Sequence, residues 1–151
     1  LDNEQSKYVD RVFSSSGKLK KIIDDVLLFV SAETGTLKLS RKNTSGLKLL
    51  QTLAAKHASA ADAKKQRVQI AKSDATVKVD EKILSEAIER LIENAIRFGT
   101  ADSTIEIEVK EGREGKTEFS ITNEGKAIPA KTLDKIMKPF TLDEDILKHS
   151  E

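Results

Sequence analysis

The residues able to do chemistry gather in two short stretches. The first holds Arg90, Asn94, Arg97 and Phe98. Residues three and four apart share one side of a helix, so an amide, guanidinium groups and an aromatic ring would stand together there. A phosphorylated ligand with an aromatic part would want such groups. An amphipathic helix can also carry a half-buried Asn with no ligand, and spacing alone leaves both readings open. The second stretch is Asn123 followed by Glu124-Gly125. Phe119, Ile121 and Asn123 alternate at period two, which puts the Asn123 amide on the core side of a strand. A buried amide without partners costs about 1–3 kcal/mol, so either local backbone or a ligand must satisfy it. Gly125 gives backbone freedom where that strand would end at a pocket wall; turn chemistry by itself also explains it.

Both stretches need rigid elements beneath them. The pairs Ile83/Leu84, Ala87/Ile88, Leu91/Ile92 and Ala95/Ile96 recur every four residues and predict an amphipathic helix over 80–98, with Asp80 as N-cap. Asn94 then sits at the edge of the buried stripe. Ile105, Ile107 and Val109 alternate with Glu106 and Glu108, predicting a strand over 104–110. A turn over 111–115 returns it as a paired strand over 117–123. Upstream, Leu47, Leu50, Leu53, Ala54, Ala58 and Ala61 predict a helix over 44–64 with Thr44 as N-cap. Leu37/Leu39, Val68/Ile70 and Val77/Val79 each predict a short strand. Residues 129–137 read as a short helix stopped before Pro139, and the polar tail after Phe140 as mobile.

The first third is different. Val12, Leu19, Ile22, Ile23, Val26, Leu27 and Val30 form one helical stripe ended by Gly35. A helix of about 30 residues spans about 45 Å. Such a helix normally packs in a bundle or coiled coil rather than on a small domain. The element order gives an α+β class: a two-layer sandwich, a mixed sheet with helices on one face, preceded by one long bundle helix.

Composition narrows the function. At 151 residues the chain holds one ordinary domain and an appendage. It has no cysteine, which excludes disulfides, thiolate catalysis and Cys-based zinc sites. With only two histidines, a His-rich metal site is not expected; His57 reads as a helix-surface residue and His149 as a tail residue. Lys and Arg number 26 against 25 Asp and Glu, without the basic excess of a nucleic-acid binder. No apolar run is long enough to span a membrane, and no signal peptide opens the chain.

Three motifs now resemble one family. Leu91-Ile92-Glu93-Asn94-Ala95-Ile96-Arg97-Phe98 resembles the N box of sensor histidine kinases. Ile121-Thr122-Asn123-Glu124-Gly125-Lys126-Ala127-Ile128-Pro129 resembles their first glycine box. Leu133-Asp134-Lys135-Ile136-Met137-Lys138-Pro139-Phe140 resembles the F box. Ile22 to Leu28, followed by Ser31-Ala32-Glu33-Thr34-Gly35, looks like the end of the second dimerisation helix and its link to the ATPase lobe. The order and spacing of the boxes make the likeness specific. It implies a Bergerat-type ATP-binding lobe over 35–151 and the second helix of a dimerisation bundle over 1–34. It also implies ATP and Mg2+ as cofactors, and an intact protein that is a histidine kinase of a two-component system. On that resemblance Asn94 would bind Mg2+ bridging the ATP phosphates, and Arg97 would meet the phosphates. Phe98 would border the nucleotide and Asn123 would contact the adenine amine. Gly125 and Ile128 would shape the pocket, and Phe140 would anchor the lid. A hard cation suits the Asn94 oxygen, and a planar guanidinium suits phosphate.

The resemblance further implies a homodimer through the helical bundle, a response regulator as partner, no nucleic acid, and a cytoplasmic location with any membrane tether outside these residues. No catalytic residue is assigned, because the acceptor His of the family would precede Leu1; the second glycine box would follow Glu151. The fragment alone is expected to be inactive as a kinase. Arg90 stands where hydrolytic relatives place a Glu four residues before the Asn, which favours phosphoryl transfer over hydrolysis. Two residues depart from the family pattern. Position 123 is Asn rather than Asp, which predicts weaker nucleotide binding. Ala127 replaces the second glycine and would be strained if it needed a positive φ. These departures carry the alternative reading, a degenerate, non-catalytic signalling scaffold.

Overall fold

The computed structural model describes residues 3–136. Met137, Phe140, His149 and the tail lie outside the described residues. The chain divides into two units between Ser40 and Arg41.

The first unit is one helix, α1 (Asn3–Glu33). Its stripe stays open: Val12, Leu19, Ile22, Ile23, Leu27 and Val30 are all exposed. Gly35, at φ +67°, stops the helix by taking a left-handed conformation that costs a glycine nothing. The amides of Thr36 and Leu37 both donate to Ser31 O at 3.0 Å. That bond explains why the expected strand at Leu37 and Leu39 is absent. Alternation of side chains does not make a strand where the backbone is already spent on a helix end.

In the second unit the first strand comes later. It is β1 (Lys42–Ser45), paired antiparallel with β3 (Thr76–Val79). Thr44 is therefore a strand residue, and the N-cap of α2 (Gly46–Ala63) is Ser45, whose Oγ accepts from Lys48 N at 3.2 Å. Asp74 fixes the same corner: its carboxylate accepts from Leu47 N at 2.9 Å and from Ser45 Oγ at 3.0 Å. The Leu47 bond, with help from Ser45, holds the Asp74 carboxyl below its ordinary value. Gly46 lets α2 start tight against the sheet, since a Cβ there would lie 2.7 Å from Val109 Cγ2.

The main sheet has three strands in the order β2 (Arg67–Ile70), β4 (Thr104–Glu111), β5 (Thr117–Asn123). β2 runs parallel to β4, and β4 antiparallel to β5, so the sheet is mixed as expected. The strands are divided, however, between this sheet and the β1–β3 pair. α2 and α3 (Glu81–Phe98) cover one face. Leu50 and Leu53 from α2, Ile88 and Ile92 from α3, and Ile105, Ile107 and Val109 from β4 form the core between them. A short α4 (Ala130–Ile136) follows the loop after β5. The architecture is the expected two-layer α+β sandwich.

Candidate functional site at the end of helix α3

α3 begins where the sequence places it: Asp80 Oδ1 accepts from Ile83 N at 3.3 Å. Its buried stripe is narrower than the sequence suggests. Ile88, Ile92, Ala95 and Ile96 are buried, but Leu91 is 51% exposed and Ala87 is exposed. The sheet is only three strands wide, so it covers one row of α3 and leaves the second row open. Asn94 consequently stands on the open face rather than at the stripe's edge. It is exposed, as is Arg97, and Phe98 is 43% exposed. The Arg97 guanidinium sits 5.2 Å from the centroid of the Phe98 ring, within cation–π range. Leu91, Asn94 and Phe98 thus present an apolar, an amide and an aromatic group along one open row.

β5 brings the second stretch to the foot of this row. Asn123 pairs with Ile105, which is fully buried, so its side chain lies on the helix-facing side of the sheet and is half-buried. Two glycines then join α3 to β5. Gly99 and Gly125 form an antiparallel bridge. Beside it, Thr100 N donates to Glu124 O at 2.7 Å and Thr100 Oγ1 to the same oxygen at 3.2 Å. The Asn123 amide nitrogen lies 3.0 Å from where a Cβ on Gly125 would be and 3.7 Å from one on Gly99. Phe98, Asn123 and Gly125 therefore meet at one corner, with Asn94 about one turn up α3, about 6 Å along its axis. Ile128 is 49% exposed in the loop before α4, and Phe140 lies outside the described residues. Ala127 has no positive φ, so the alanine carries none of the strain a left-handed residue would.

Sequence reasoning passed over Gly99, Lys64 and Gln66, which build this corner. Gln66, 3% exposed, donates its amide to Ile96 O at 3.3 Å and Thr100 O at 3.0 Å. Lys64 Nζ donates to Ile96 O and Arg97 O at 2.9 and 2.7 Å. These bonds satisfy the last carbonyls of α3, which a helix leaves without partners, and a cation there complements the helix dipole. Glycine just past the last periodic residue was a readable stop signal.

His57 is not a surface residue. Its side chain is 13% exposed, and Nε2 lies 3.2 Å from Glu89 Oε1 across the α2–α3 contact. His57, Glu89 and Glu93 bring three potential ligand atoms within 4.8 Å of one another. The Lys56 ammonium already neutralises Glu89 at 2.5 Å, so the group reads as an ion-pair cluster between helices. A groove of about 370 Å3 elsewhere in the unit is lined by Thr76 to Val79, Leu84, Gly115, Thr117 and Phe119, and by neither Asn94 nor Asn123.

Residues 79–150 match the model of the family described as histidine kinase-, DNA gyrase B-, and HSP90-like ATPase. The match takes in α3, β4, β5 and α4, the elements that carry Asn94, Arg97, Phe98, Asn123 and Gly125. No curated protein matches the chain. Among solved structures, this segment and the elements before it share their fold with histidine kinases. The Acinetobacter baumannii histidine kinase AdeS superposes with a TM-score of 0.77 at 20% identity, covering 88% of this chain and 66% of that one. Full-length ShkA in complex with AMPPNP gives 0.82 at 22%, covering 94% and 31%. Histidine kinase ThkA in complex with the response regulator protein TrrA gives 0.69 at 18%, covering 94% and 42%. The resemblance to sensor histidine kinases read from the three boxes holds. This chain spans only part of those proteins. No helix among the described residues is long and apolar enough to cross a membrane.

Proposed function

We propose that the chain is the ATP-binding catalytic region of a sensor histidine kinase. Residues 1–34 would supply the second helix of a dimerisation bundle and 35–151 the nucleotide lobe. The observation that supports this best is the open row of α3, where exposed Asn94 and Arg97 stand above the corner formed by Phe98, Asn123 and Gly125. Those residues fit the implied ligands. The Asn94 carboxamide offers an uncharged oxygen to Mg2+, whose usual partners are oxygens from protein, phosphate and water. Arg97 can meet phosphate oxygens, and the half-exposed Phe98 ring can lie against a base or ribose. Bound Mg2+ would neutralise phosphate charge; the chain's own part is to orient the nucleotide. The γ-phosphoryl group would then pass to a histidine outside this segment, in a homodimer that serves a response regulator. The structure of ThkA with TrrA is a precedent for such a partner. The location on this reading is cytoplasmic.

Thermal melting with millimolar ATP and Mg2+ tests the reading. Binding at 100 times Kd stabilises by about 2.7 kcal/mol, a shift of several degrees for a domain of this size. Asn94→Ala should remove the Mg2+-dependent part. If no nucleotide moves the transition, the second reading stands instead: a non-catalytic signalling scaffold, favoured by Asn123 and Ala127.

A further inference from the structure

Resting on the nucleotide reading above, we propose that the site accepts guanine as well as adenine nucleotides, and that Asn123 is the residue that relaxes the choice. A carboxylate at this position could only accept hydrogen bonds, whereas a carboxamide carries an acceptor oxygen and a donor nitrogen. At position 6 adenine presents an amine that donates, and guanine an oxygen that accepts. In a pose that sets position 6 of the purine against residue 123, a carboxylate pairs with adenine and repels guanine. Asn123 can pair with either by rotating its amide half a turn, which exchanges Oδ1 and Nδ2 with no change of shape.

Three features of the corner leave that rotation open. The Asn123 side chain makes no hydrogen bond among the described residues, so neither end of the amide is committed. Gly99 and Gly125 carry no side chain beside it: the amide nitrogen stands 3.7 and 3.0 Å, respectively, from the positions their Cβ atoms would take. The side chain is half-buried on the helix-facing side of β5, opposite Ile105, which fixes its position while leaving part of it open to a ligand. A site that discriminates by an unpaired or repelled polar group loses that discrimination when the group becomes ambivalent.

The test measures affinities of the purified protein for ATP, GTP, CTP and UTP, each with Mg2+, by calorimetry or competition with a fluorescent nucleotide. GTP should bind within about threefold of ATP and the pyrimidine nucleotides at least about tenfold more weakly, the scale of a lost polar contact. Asn123→Asp should weaken GTP at least about tenfold relative to ATP, restoring adenine selectivity through acceptor–acceptor repulsion. Circular dichroism would verify the fold of the variant, and the wild-type ratio stands without it. ATP binding with GTP at least about tenfold weaker in the wild type would overturn the inference and leave the ATP-site reading intact. Undiminished GTP binding in Asn123→Asp, or four nucleotides bound alike, would also overturn it. Failure of every nucleotide to bind would remove the nucleotide reading and this inference with it.

Discussion

Gly99 and Gly125 pair across the junction of α3 and β5 at a separation that admits no side chain on either. A Cβ on Gly125 would lie 2.5 Å from Phe98 O, and one on Gly99 would lie 2.6 Å from Ala95 O and 2.7 Å from Gln66 Nε2. Phe98 O and Ala95 O are backbone atoms, which cannot swing aside as a flexible side chain can. Gly125→Ala should therefore cost about 1–3 kcal/mol, the scale of overpacking. Because Asn123 sits two residues before this contact, the variant should also lose nucleotide-dependent stabilisation. Urea unfolding, with and without ATP and Mg2+, reads both effects in one experiment. Wild-type stability in the variant would mean that the bridge is not needed to hold the corner.

Neighbouring positions on α3 should behave in opposite ways. Asn94 is exposed on the open row, so Asn94→Ala should change stability by less than about 0.5 kcal/mol while abolishing the Mg2+-dependent response to ATP. Ile92 is fully buried in the core. Ile92→Ala should cost about 2–5 kcal/mol through lost burial and the cavity left behind. Denaturant midpoints of the two variants, compared with nucleotide titrations of the Asn94 variant, separate a binding residue from a packing residue.

This contrast shows what the sequence could and could not say. Period-two alternation placed Ile105, Ile107 and Val109 on the core face of β4, and all three are buried. It also put Asn123 on the helix side of β5, where register against Ile105 holds it. These readings succeed because a strand beside a buried face has no freedom to slip by one residue. The reading of Leu91 as buried failed for a tertiary reason. The width of the covered stripe on α3 depends on how much sheet lies beneath it, which no local pattern encodes. Leu37 and Leu39 failed differently: their alternation was real, but a strand needs a partner, and β3 takes Lys42–Ser45 instead. His57 could not be placed from the sequence, since its partner Glu89 is on another helix and 32 residues away.

That pair leads to a pH dependence. Hydrogen bonding from Lys56, then its charge, and the contact with His57 hold the Glu89 carboxyl below its ordinary value of 4.5, against the opposing effect of burial. A carboxyl whose folded pKa is depressed binds protons more readily when the chain unfolds. Its stabilising contribution is complete above the unfolded value and is lost as pH falls through the folded one. The midpoint of urea unfolding should therefore decline as pH drops below about 4.5, and Glu89→Gln should remove part of that decline. Lys56 is mostly exposed, so added salt should shrink the difference. Identical acid slopes for the variant and the wild type would show that the cluster contributes nothing to folding.

The open apolar repeat of α1 predicts self-association. Val12, Leu19 and Val26 recur every seven residues, and they stand 66%, 59% and 37% exposed on a helix of 31 residues. An isolated helix of that length has no core of its own, and a seven-residue apolar repeat is the pattern that helices bury by packing against one another. A second copy of the chain is the partner that the proposed dimerisation bundle supplies. Sedimentation equilibrium should then show a dimer whose dissociation depends on protein concentration. Leu19→Glu combined with Val26→Glu places two charges in the seam and should make the protein monomeric at concentrations where the wild type is dimeric. Exchanging the exposed Lys20 for Glu, off the repeat, is the control that should leave association unchanged. A wild type that is monomeric at every concentration would remove the bundle from the proposed function, and the nucleotide lobe would have to be judged by ligand binding alone.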